Sequence, residues 1–268
     1  MELKERVAVV YGGGGAVGGA VARALAREGA RVYLTGRTST AAQTVADEIV
    51  ASGGRASAAA VDLADWDAVD AFLHGVVDEA GDFHIVVDAT GGDHVQGVPL
   101  REVGLADYLA PITAVATNAY VAGATAAIHM TAVGHGVIVL LSTTAARVTL
   151  PSDGFGPACA AVEAFARQLA GETGPYGVRV VCVRADAIPG SVAAGSYAGA
   201  MWSRTAETRG STLEDVMATG GPGVPGALLS GELSLTAIGD TVAFLASDRA
   251  SAMTATVTNL SRGALPDL

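Results

Sequence analysis

The chain has 268 residues, half of them hydrophobic and only 16% charged, which gives ample material for a buried core and excludes a disordered composition. A net charge of −11 sets it against polyanions, since a nucleic-acid surface needs clustered Lys and Arg, so no nucleic-acid partner is expected. Mean hydropathy is high at +0.42, yet Gly, Asp or Arg breaks every apolar run before the ~20 residues a membrane helix needs, and no membrane partner is expected.

Strand-like and helix-like patterns alternate along the chain. The polar start, Met1 to Arg6, runs straight into the apolar strand "RVAVVYG" and carries no leader pattern. A glycine loop follows, then a helix in which Val17, Val21 and Leu25 recur every four residues and Gly29 marks the end. "RVYLTG" is the second strand, "ASAAAVD" the third and "HIVVDA" the fourth. A long Ala-rich helix is predicted over Leu105 to Met130, then the strand "GVIVLLS" and a helix around Pro157 that runs to about Thr173. "VRVVCV", the helix "IGDTVAFLAS" and the strand "ATVTNL" complete the series. Continuous apolar strands separated by helices mean a doubly wound parallel sheet with helices on both faces, in one α/β domain over residues 1–268. Residues 189–235 break the rhythm: Gly, Ser and Pro surround one helical piece, "TLEDVMAT", as in a substrate lid. Cys159 and Cys182 sit in apolar segments and read as reduced core thiols, which points to the cytoplasm.

The loop "VVYGGGGAVGG" places Gly12, Gly15 and Gly18 between the first strand and its helix, with Gly14 and Val17 among them. The first glycine permits the turn, the second admits a pyrophosphate, the third lets helix and strand pack, and helix N–H groups face the phosphates. At the end of the second strand stands Arg37 and no carboxylate, which suits the 2′-phosphate of NADP(H) over the bare ribose of NAD.

Together with "REGARVYLTGR", Asp62-Leu63, "DATG", "PYGVRVVCV" and "VAFLASDRAS", this order resembles the short-chain dehydrogenase/reductase family over nearly the whole chain. The resemblance implies a Rossmann-like fold. It also implies adenine contacts at Asp62 and Leu63, cofactor contacts along Ala89, Thr90 and Gly91, and Ile188 beside the nicotinamide carboxamide. It further implies a homo-dimer or homo-tetramer, and the small apolar face of "ACAAVEAFA" is compatible with helix pairing between subunits.

The family's catalytic Tyr and Lys, four apart on one helix, fall on Gly156 and Ala160 when the helix is aligned through "AAVEAFARQLA". Its serine falls on Thr143, beside Ser142, and its asparagine near Val115, one turn before Asn118. The emptied positions either admit a bulky apolar substrate or have collapsed, and loss of the lysine weakens the hold on NADP(H). Substitute groups are Ser142 and Thr143 as hydrogen-bond donors, and Asp88 and Asp186, each of which interrupts a family motif and serves as a base or caps a turn. Cys159 reads as core, and His94 as a solvent-exposed loop residue. The five histidines show no paired-ligand spacing, so no metal is expected. Two readings stand: an NADP(H)-dependent oxidoreductase acting on a small apolar carbonyl or alcohol, or a non-redox protein on the same fold, such as a cyclase, isomerase, lyase or silent partner subunit.

Overall fold

A computed structural model describes residues 1–94, 96–149, 152–208, 210–218 and 224–266. Seven parallel strands stand in the order β3-β2-β1-β4-β5-β6-β7: β1 (Val7–Tyr11), β2 (Arg31–Gly36), β3 (Arg55–Ala60), β4 (Ile85–Asp88), β5 (Gly136–Thr143), β6 (Val178–Ala185) and β7 (Thr256–Leu260). Every residue of β1 and β4 is buried, as expected of central strands covered on both sides.

One face carries α1 (Ala16–Arg27), α2 (Ser39–Ala51) and α9 (Leu235–Ala246), packed through Val21, Leu25, Ile49 and Ile238 onto Ala8, Val10 and Val87. The other carries α3 (Trp66–Ala80), α4 (Leu105–Val133) and α5 (Phe155–Thr173), whose Leu73, Ala122 and Val162 meet Val9, Val86 and Ile138. Alternate strand residues feed opposite cores because successive side chains point to opposite faces.

Local signals set the boundaries. Asp65 caps α3 by accepting from Ala68 N–H, and Ser234 caps α9 by accepting from Ala237 N–H. α4 passes through Pro111 and ends at Gly134, whose φ of 82° is the left-handed conformation that closes helices. The third strand ends at Ala60, two residues before its predicted limit, so Asp62 lies on the loop beyond it. The 189–235 segment holds more structure than predicted, with α6 (Gly190–Ala193), α7 (Ala198–Thr208) and α8 (Leu213–Ala218). Its buried Met201 and Trp202 form a small separate core, and that local burial is what supports the extra helices. Part of its Gly/Pro stretch, residues 219–223, lies outside the described residues. No described helix is long and apolar enough to cross a membrane.

Candidate active-site cleft

The carboxyl ends of β1, β2, β4, β5 and β6 open into a cleft of about 1060 Å³, the position at which parallel α/β sheets bind ligands. Gly12, Gly14, Gly15, Val17, Arg37, Asp62, Leu63, Ala89, Thr90, Gly91 and Ile188 all line it, so residues spread over most of the chain converge. Gly18 does not. A Cβ there would run into the Gly12 carbonyl, so its part is to let α1 cross close to the loop. Gly12 has φ +72°, which favours glycine, and its own Cβ would fall 2.8 Å from the Ala89 carbonyl oxygen.

These residues fit a dinucleotide. Helix α1 starts at Gly15 with no capping side chain, which leaves its first N–H groups to face the cleft, where a diphosphate satisfies them. Arg37 is exposed at the cleft edge, with no hydrogen bond or ion pair to another described residue. Its guanidinium is therefore available to a phosphate.

The far end of the cleft is lined from α5 by a different pair than Gly156 and Ala160. The cleft-facing pair of α5, one turn apart, is Phe155 and Cys159; neither Gly156 nor Ala160 lines the cleft, and Ala160 is exposed. No cavity stands at Gly156 either. A Cβ there would lie 2.9 Å from the Ala145 carbonyl oxygen, because the 3-10 turn Thr144–Ala146 packs against the helix start. A phenyl ring and a thiol are thus what α5 presents to the cleft. Burial raises the Cys159 pKa, so the thiol stays neutral.

Of the four residues that the sequence offers as substitute groups, Ser142, Asp88 and Asp186 are each held in bonds within the fold, and Thr143 faces the cleft. Ser142 donates to Glu163 Oε1 at 2.9 Å. Glu163 in turn holds Arg184 through two bonds of 2.7 Å, a buried ion pair tying α5 to β6. Thr143 lines the cleft, accepts from Ala145 N–H at 3.2 Å and lies 3.4 Å from Cys159 Sγ. Asp186 also lines it, but accepts from Thr144 Oγ1 at 2.9 Å and from Val224 N–H at 3.1 Å, fastening the 189–235 segment to the sheet end. Asp88 lies behind the cleft wall and accepts from the Thr90 N–H and hydroxyl at 2.9 and 2.6 Å. Asp88 therefore caps its own turn, whereas Asp186 is a long-range tie. Burial pushes the Asp88 pKa up to about 6.

Three cleft residues carry weak or misleading sequence signals. Asn118, one turn past the expected asparagine position, donates to Thr90 Oγ1 at 3.1 Å, extending the Asp88–Thr90 chain to α4. His94 is buried, contrary to expectation: its ring stacks on Phe155 with centroids 3.5 Å apart, and its Nδ1–H donates to the Gly92 carbonyl at 2.9 Å. Desolvation lowers its pKa and keeps it neutral. Tyr197, between α6 and α7, brings its hydroxyl against Gly91 across the cleft. The only prior signal for it was its place inside the irregular 189–235 segment.

The family model for short chain dehydrogenases matches residues 6–197. The chain is 31% identical over 224 residues to the short-chain reductase protein NovJ of Streptomyces niveus, covering 80% of this chain and 78% of that one. It is 30% identical over 257 residues to the hydroxynaphthalene reductase arp2 of Aspergillus fumigatus, covering 92% and 88%. Among solved structures, NAD+-bound xylitol dehydrogenase superposes with a TM-score of 0.85 at 23% identity, covering 98% of this chain and all of that one.

Proposed function

Because the chain belongs to the short-chain dehydrogenase family of oxidoreductases, we propose that it transfers hydride between NADP(H) and a small apolar carbonyl or alcohol, with a proton donor that lies off α5. The observation carrying the cofactor choice is Arg37, an unengaged guanidinium where the sheet end presents no carboxylate to a ribose diol. The bound cofactor supplies or accepts the hydride.

The chain's own residues supply the rest. Gly12, Gly15 and the start of α1 hold the diphosphate, and Asp62 and Leu63 flank the adenine. Phe155, Met201 and Trp202 give the substrate end an apolar wall, and the 189–235 segment covers it as a lid that excludes water. Two relatives bear the names of reductases, one of a hydroxynaphthalene, which supports the carbonyl-reducing direction and an apolar ring as substrate. The proton passes to the nascent alkoxide from Tyr197. It is the phenol whose hydroxyl reaches Gly91 across the described cleft wall, burial raises its pKa and keeps it protonated, and the other phenol there, Tyr11, is fully buried. Thr143 and Asn118 orient the oxygen from the opposite side.

The test is fluorescence titration with NADPH against NADH. Micromolar binding selective for NADPH is expected, and Arg37→Ala should reduce that preference by about tenfold, the loss of one charge-assisted contact. Tyr197→Phe should bind NADPH unchanged yet lose turnover by about 10²-fold or more. Absence of binding at millimolar cofactor overturns the proposal and leaves the non-redox reading, which the acid-free Phe155/Cys159 pair favours.

A further inference from the structure

Four of the five histidines gather into two Asp–His–His groups away from the cleft, though no two of them have ligand spacing in sequence. From the first group, Asp70, His74 and His129, we propose a zinc site that joins α3 to α4, independent of the cleft and of the activity assigned to it.

Asp70 and His74 lie four apart on α3 and so share a face, and α4 brings His129 against them. His74 Nδ1 stands 3.4 Å from one Asp70 oxygen, and His129 Nε2 stands 3.7 Å from the other. One ligand atom from each of the three residues lies within 4.8 Å of the others. Donors at 2.0–2.1 Å from a tetrahedral ion are ~3.4 Å apart, so closure asks for a small contraction. The exposed His74 ring is free to make it.

Lone pairs decide between the two groups. His129 Nε2 is buried and has no hydrogen-bond partner among the described residues, a cost that a metal bond removes. His74 Nδ1 lies 2.9 Å from the Asp70 carbonyl and 3.4 Å from its carboxylate, and its proton passes to Nε2 of the exposed ring when Nδ1 turns from the carbonyl to the ion. In the second group, Asp82, His84 and His135, His84 Nδ1 instead accepts the Val7 N–H at 3.2 Å. Its lone pair is spent, its other nitrogen bears the proton, and that group is not a metal site. Two imidazoles and one carboxylate suit a borderline divalent ion, and the exposed His74 side leaves a coordination position for water.

The experiment is calorimetric titration of the full chain, stripped with EDTA, with ZnCl₂ at pH 7.5. One ion per chain at micromolar or tighter affinity is expected. His74→Ala, at an exposed position that does not threaten folding, and His129→Gln should each weaken binding by about tenfold or more, while His135→Ala leaves it unchanged. No saturable uptake at millimolar Zn²⁺, binding untouched in both variants, or loss confined to His135→Ala overturns the site.

Discussion

Asp88 shows how burial alone sets the behaviour of a carboxyl group. Among the described residues it has no cationic partner, only the two bonds from Thr90, and its pKa rises from 3.8 to about 6. In the unfolded chain it ionises near 3.8, so between that pH and about 6 the folded state holds a proton that the unfolded state has released. The stability it contributes is therefore complete below pH ~4 and lost as pH rises to about 6, a difference of about 2–3 kcal/mol. Asp88→Asn keeps an oxygen for both Thr90 bonds and removes the buried charge. Denaturant unfolding of variant and wild type should coincide near pH 4, with the variant gaining up to that amount above pH 6. Parallel curves across the range would show that Asp88 does not titrate in folding.

At the scale of elements, α5 joins the site to the core. Its inward side carries Phe155 and Cys159 at the cleft and Glu163 at the Arg184 ion pair. Breaking a buried pair of this kind costs about 3–5 kcal/mol, because one charge is left uncompensated. That anchor fixes the rotation of the helix, and hence which residues face the cofactor. Phe155→Tyr combined with Cys159→Lys should restore a phenol and an ammonium to the cleft and raise carbonyl reduction with NADPH by about 10²-fold. Steady-state assays of the double variant decide it. An unchanged rate would mean that the donor on the 189–235 segment already carries the step. The same change at Gly156 and Ala160 meets the Ala145 carbonyl and solvent respectively, and should add nothing.

For the whole molecule, the outward side of α5 presents Pro157, Ala160, Ala161 and Ala164 as a stripe of small residues, and the exposed Tyr120 of the neighbouring α4 meets Phe165 of α5. Small side chains let helices approach closely, and we expect this face to pair copies of the chain into a homo-dimer or homo-tetramer. Sedimentation velocity should show the oligomer, and Ala164→Arg should shift it toward monomer. A wild-type monomer at micromolar concentration would remove the expectation.

The architecture was legible in the sequence because it follows from local rules. Apolar runs such as "RVAVVYG" and "GVIVLLS" can only be buried strands, the glycine loop sits between one of them and a helix, and Arg37 ends another. The sequence also determined that the acid and the ammonium are absent from α5, since neither register through its start supplies a Tyr or a Lys. Tertiary structure alone decided which pair faces the cleft, because the face a helix turns inward depends on its packing, here against Ala145 and through the Glu163–Arg184 pair, and not on periodicity. It alone buried His94 on Phe155, committed Asp88 to its turn and Asp186 to Thr144 and Val224, and brought Tyr197 over Gly91. It also joined Asp70 and His74 to His129, far away in the chain. Such contacts arise from long-range closure, on which the spacing of residues along the chain is silent.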